Sequence, residues 1–201
     1  MKRILLAWFI LSSCLVRADE FVWFDGSRPV TYSVSRTAAP VVGVALELFR
    51  SDLRQVTGLE PIVAPASKAT IRIVELDKAS AALRNTLKKS GVPVDELTAK
   101  PDGFYVAVNN GQLWVVGSNG RGTAYGLLEL SRMAGVSPWV WWGDVTPERR
   151  TSLSVASDFR TLQSPSVEYR GIFLNAEDWS LQPWSWKTFE PGPYGLIGAK
   201  T

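Results

Sequence analysis

Glu177 and Asp178 are adjacent carboxyls that directly follow the apolar segment 168–175, the position from which parallel-barrel enzymes draw polar site residues. Paired carboxyls suit glycosidic cleavage, in which one acid protonates the leaving oxygen while a carboxylate attacks the sugar or activates water. The same pair would equally serve as a solvated turn or a helix-start cap. Counting narrows the chemistry further. The 201 residues include no histidine, which excludes a Ser-His-Asp triad, a histidine zinc site and an imidazole base. The single cysteine, Cys14, excludes a disulfide framework, a cysteine-rich metal site and a redox pair. Carboxylates, Tyr, Lys and Ser are left to carry any catalysis.

Six of the nine tryptophans, Trp139, Trp141, Trp142, Trp179, Trp184 and Trp186, lie in the later part of the chain. Flat indole faces match the C–H patches of pyranose rings and each carries a hydrogen-bond donor, so such clusters suit saccharides; a bulky domain interface uses them equally well. Ser137-Pro138 and Gly143-Asp144 place Trp139, Trp141 and Trp142 on a loop, where side chains are available. The segment Gly117-Ser118-Asn119-Gly120-Arg121-Gly122-Thr123-Ala124-Tyr125-Gly126 has the strand-to-helix setting of a phosphate loop. Its details fail that reading, since Thr123 stands where a P-loop needs Lys, and Tyr125 where a dinucleotide fingerprint needs glycine. A tight turn with close backbone packing fits better.

These residues need elements to hold them. Residues 21–24 read as a strand before an Asp25-Gly26 turn. Residues 38–57 read as a helix, with Pro40 in its first turn, Val41, Val44, Ala45, Leu48, Phe49, Leu53 and Val56 as its apolar stripe, and Gly58 as its stop. Strands are predicted at 62–64 and 70–76, then a helix from an Asp77 cap to Gly91. The runs 104–108 and 113–116 flank Asn109-Asn110-Gly111-Gln112, a tight-hairpin signature. A last helix spans about 122–134 and ends at Gly135. This order gives an α+β class, with a mixed, largely antiparallel sheet carrying two or three helices on one face. Residues 151–167, rich in Ser and Thr and containing Pro165, read as a connection between domains.

Three motifs resemble glycoside hydrolase family 115: Arg121-Gly122-Thr123-Ala124-Tyr125-Gly126; Gly135-Val136-Ser137-Pro138-Trp139-Val140-Trp141-Trp142-Gly143-Asp144-Val145; and Tyr169-Arg170-Gly171-Ile172-Phe173-Leu174-Asn175. The resemblance implies an α-glucuronidase that removes glucuronic acid, or its 4-O-methyl ether, from xylan side chains with inversion and without a cofactor. It implies an N-terminal α+β accessory domain over 19–160, then over 161–201 a linker and the first strand of a truncated (β/α)8 barrel. Only 33 residues run from 169 onward, against about 250 for a whole barrel, so the chain alone is expected to be inactive. Asn175 and Glu177 match the family's Asn-Asp-Glu signature, with Ala176 replacing the aspartate and Asp178 as the nearest substitute. Trp141, Trp142 and Asp144 look like the segment that the N-terminal domain lays beside the barrel mouth. Substrate binding is thus expected at Asn175, Glu177, Asp178, Trp141, Trp142 and Asp144, while the general acid and base are not assigned. A secreted saccharide-binding or scaffolding module without catalysis is the other reading.

Lys2 and Arg3 before an apolar run at 4–11 resemble a secretory signal over 1–18, cut after Ala18 or, at the lipobox-like Leu11-Ser12-Ser13-Cys14, lipidated. The formal charge of +3 then disappears, because Lys2, Arg3 and Arg17 all lie in that leader. No basic stripe is left for nucleic acid. The expected partner is a xylan-type polysaccharide in the periplasm or outside the cell, with membrane attachment only through a lipid on Cys14.

Overall fold

The computed structural model describes residues 19–171, 173 and 181–189. They fall into two compact units, one ending at Pro165 and one beginning at Ser166. In the first unit the strands are β1 (Glu20–Phe24), β2 (Thr31–Ser33), β3 (Ile62–Val63), β4 (Ile71–Glu75), β5 (Phe104–Asn109), β6 (Gln112–Gly117), β7 (Leu153–Ala156) and β8 (Arg160–Gln163). The helices are α1 (Pro40–Thr57), α2 (Ala81–Lys89), α3 (Val94–Thr98), α4 (Gly120–Met133) and the single turn α5 (Trp139–Trp142).

The class is α+β with a mixed sheet, as the sequence implies. Six strands are ordered β3-β2-β4-β6-β5-β8, and β1 pairs with β7 as a separate antiparallel ribbon. The antiparallel share is smaller than expected. Pairings β2–β3, β2–β4 and β4–β6 are parallel, and β5 alone runs against the others. The helices also occupy both faces rather than one. Alternate residues of β6 explain this: Leu113 and Val115 point to the layer formed by α1 and α4, whereas Trp114 and Val116 point to Leu87 of α2 and Leu97 of α3. A sheet apolar on both faces needs cover on both.

Local signals set most element ends. Gly58 takes φ 83° after α1 and donates its N–H to Arg54 O. The stripe that α1 buries is Val42, Ala45, Phe49, Leu53 and Val56; Val41 and Val44 are exposed, since the helix is turned by one position from the expected face. Asp77 does not cap α2. The cap is Ser80, whose Oγ accepts from Leu83 N–H at 3.2 Å, because a backbone turn from Leu76 O to Ala79 N intervenes. Asn110 and Gly111 sit at φ 49° and 71°, as a two-residue hairpin requires.

The contact that fixes α4 joins 102–103 to 117–122. Ser118 and Gly103 exchange two hydrogen bonds, with Ser118 N–H on Gly103 O at 2.8 Å and Gly103 N–H on the Ser118 side-chain Oγ at 3.1 Å. A β-carbon on Gly117 would overlap the Thr123 amide nitrogen, and one on Gly122 would overlap Gly103 O. Strand, turn and helix therefore approach at backbone-to-backbone distance.

One expectation fails in the last part of the chain. The stretch read as a connection contains β7 and β8, whose partners lie far back in sequence: Val155 opposite Phe21 and Leu162 opposite Tyr105. Polar composition hid them, since β7 and β8 each bury little. The strand expected in the second unit falls partly outside the described residues; those that are described, Tyr169, Arg170, Gly171 and Phe173, carry no ladder pairing, and Tyr169 and Phe173 are each 89% exposed. A strand needs ladder bonds from a neighbour, and no described strand pairs with this segment. Ile172, Leu174 and Asn175 lie outside the described residues.

Gly122→Ala is expected to cost about 2 kcal/mol or more by overpacking against Gly103 O. Gly43→Ala, at an open position inside α1, is expected to add about 0.5–1 kcal/mol. Urea unfolding midpoints check both; equal effects of the two would contradict this packing.

Candidate functional site

After α4 the chain turns on Gly135 at φ 95°, with Gly135 N–H on Arg132 O and Val136 N–H on Ser131 O. Val136 is thereby buried. Ser137-Pro138 then starts α5, where the Ser137 hydroxyl accepts from Trp139 N–H at 3.2 Å and Gly143 N–H returns to Trp139 O at 2.8 Å. The expected loop is thus one helical turn. It presents Trp139 at 63% exposure, with its indole available to a partner.

Beside this turn lies a cleft of about 460 Å³, walled mainly by Leu48, Tyr125, Leu128, Val136 and Val140, with Asp52 at its edge. Burial pushes the Asp52 carboxyl above its ordinary value, while the nearby Ser131 hydroxyl pulls it weakly downward without completing a hydrogen bond. Glu129 is committed to a two-pronged pair with Arg132, at 2.7 and 2.8 Å. An apolar wall with one free-edged carboxylate and a neutralised ion pair is suited to holding a ligand through ring contacts and a few hydrogen bonds. Sequence reading missed Asp52, because its neighbour Leu53 carries the stripe. Its spacing of four from Leu48 was the available signal.

Of the expected substrate-binding residues, Asp144 is described, exposed and left-handed at φ 52°. Trp141 and Trp142 supply the backbone of α5, and the expectation for their indoles falls on side chains outside the description. Asn175, Glu177 and Asp178 also lie outside the described residues. Nothing described brings the two groups of candidates together. Part of the expected Trp-rich loop is a helix in the second unit, α6 (Leu181–Thr188), in which Trp184 stacks edge-on to Phe189 with centroids 5.7 Å apart.

The glycine-rich turn is filled by the chain's own groups. Asn119 Oδ1 accepts from Gly122 N–H at 2.9 Å, and the buried Asp102 carboxylate accepts from Asn119 Nδ2 at 2.9 Å and Arg121 Nε at 3.0 Å. A carboxylate already occupies the electropositive end of α4, where a phosphate would have to sit. The tight-packing reading holds.

Fold and surface define an α+β domain that presents an exposed aromatic turn beside a largely apolar cleft. Over 87% of its length the chain is similar, at 42% identity and a TM-score of 0.73, to the solved structure of a family GH115 4-O-methyl-α-glucuronidase with specificity for decorated arabinogalactans. The resemblance to glycoside hydrolase family 115 read from the three motifs is borne out. The chain spans 22% of that protein's length. No family model and no curated protein matches it.

The Asp52 shift has a definite sign. A carboxyl whose folded pKa is raised holds its proton more tightly in the native state, so native stability falls as pH rises from the ordinary carboxylate range through the raised value. Asp52→Asn is therefore expected to melt higher than the parent at pH 7, with the gain vanishing near pH 3. Melting curves across that range check it, and a pH-independent difference would contradict it.

Proposed function

We propose that this chain is the N-terminal α+β part of an exported glycoside hydrolase that removes glucuronic acid or its 4-O-methyl ether from polysaccharide side chains. The observation that carries the proposal is the 42% identity over 87% of the chain to a 4-O-methyl-α-glucuronidase. The motif order supports it independently, since the Trp-bearing turn follows α4 directly and stays exposed. The substrate is a uronate-decorated polysaccharide of the xylan or arabinogalactan type. In this reading the domain places its α5 turn against the catalytic part, and proton transfer belongs to carboxylates outside the described residues. No cofactor enters the chemistry, which needs only two carboxyls.

The exposed Trp139 beside an apolar cleft also favours a saccharide-binding role for the domain without chemistry. Two measurements test these readings. On glucuronidated xylan and arabinogalactan oligosaccharides, the 201-residue chain is expected to release no uronic acid. Turnover in the ordinary enzyme range of about 1–1,000 per second would overturn the assignment of chemistry elsewhere. Calorimetric binding that is lost in Trp139→Ala would favour the module.

The basic, apolar leader supports the export part of this reading, which is tested separately. The mature protein is expected outside the cytoplasm with Asp19 as its first residue. A lipid on Cys14 would replace that result with membrane attachment, and a cytoplasmic protein starting at Met1 would contradict export.

A further inference from the structure

A second crevice, of about 550 Å³, is lined in part by Val74, Ala79 and Leu83, which belong to the core layer under α2 and α3. Its floor is the seam between β2 and β4, at Ser33 and Arg72, and one wall is the segment entering α2, at Lys78 and Ser80. This seam is where the strand connections diverge. From β2 the chain leaves through α1 toward β3, covering one face; from β4 it leaves through α2 and α3 toward β5 and β6, covering the other. Crevices at such switch points, beside the carboxyl ends of parallel strands, are the usual ligand sites of open α/β sheets.

The charges there are specific. Arg72 sits with its guanidinium carbon 4.7 Å from the ring centroid of Trp114, the residue opposite it on β6. Trp114 is buried, so the planar fork is held against a fixed surface. No hydrogen bond or ion pair joins Arg72 to any described residue. Ser33 stands opposite Arg72 on β2. Lys78 donates to Thr37 O at 2.9 Å and lies 3.7 Å from Glu75 Oε2, and Glu75 Oε1 in turn accepts from Ala39 N–H at 3.0 Å. Glu75 therefore offsets Lys78, and Arg72 remains as one uncompensated, preoriented cation.

We infer that this crevice binds the carboxylate of a uronate sugar, with Arg72 as its two-pronged anchor and the Ser33 hydroxyl beside it. A planar fork matches a carboxylate, and one net positive charge matches one negative charge. The apolar part of the lining, which includes Pro65, Ala79 and Leu83, offers a face to a sugar ring that a bare anion would not use, and Ser35 and Ser80 add hydroxyls beside it. The inference rests on the polysaccharide reading above and adds to it a site on this domain that holds the charged decoration without cleaving it.

The test is an amide NMR titration of the 201-residue chain with D-glucuronate, D-glucose, acetate and inorganic phosphate. Expected are saturable shifts around Ser33, Arg72 and Lys78 with glucuronate, and affinity at least about tenfold weaker for the other three. Arg72→Gln is expected to lose at least about tenfold in glucuronate affinity while keeping a folded spectrum. Should that variant unfold, Arg72→Lys decides, since it keeps the charge but not the fork: a loss of affinity supports the site and unchanged affinity overturns it. Absence of saturable shifts by about 50 mM glucuronate, or equal binding of acetate or phosphate, also overturns it. Failure here leaves the glucuronidase reading standing. Uronate binding, combined with a longer protein that lacks glucuronidase activity, would instead remove that reading and keep the site.

Discussion

Asp102 holds a left-handed backbone at φ 55°, buries its carboxylate and accepts from two residues of the α4 start, and the placement of α4 depends on that contact. A non-glycine residue at positive φ carries a conformational penalty that persists only when its surroundings compensate. Here the compensation is visible in Asn119 Nδ2 and Arg121 Nε, both on the same carboxylate oxygen. Asn119 links this pair to the helix, since its other amide atom caps Gly122 N–H. Side chains could not do this alone; Gly117 and Gly122 must also lack β-carbons for the three segments to approach.

Once α4 is pinned at its start, its far end has little freedom. Leu127 and Leu130 are fully buried with Phe49 and Leu53 of α1 in a common core, and Val136 closes that core just beyond the helix. The α5 turn and the Asp52 cleft are consequences of that closure. At the other pole Glu75 ties the two long helices together, for its carboxylate accepts from Ala39 N–H and packs against Gly120 at the first residue of α4. A carboxylate between two helix starts is favoured by both dipoles. The sheet-edge chemistry, the aromatic turn and the cleft thus share one frame, in which the chain's own acids occupy the sites that a phosphate would otherwise take.

Features governed by neighbouring residues were legible in the sequence. Pro40, Gly58, Gly135 and the Asn110-Gly111 turn each act within a few residues, and each stands where it was expected. Features governed by distant partners were not. Three-residue β2 exists because β3 and β4 flank it, and β7 and β8 exist because β1 and β5 supply their ladders. Their polar residues look like a linker until the partners are known. The double-sided cover of the sheet was legible in principle, from the unbroken apolar run Leu113-Trp114-Val115-Val116, which alternation cannot explain. Of the candidate site, the exposed tryptophan turn was legible as a motif, whereas Asp52 and Arg72 were ordinary helix and strand residues until the fold gave them neighbours.

The most direct measurement is a double-mutant cycle on stability with Asp102→Ala, Asn119→Ala and the pair, by urea unfolding. The account requires a coupling of at least about 1 kcal/mol, because either change alone already removes the Asn119 Nδ2–Asp102 Oδ1 hydrogen bond, which the second change cannot remove again. Additivity within about 0.4 kcal/mol would show that the two residues act independently and that α4 is held in place by something else.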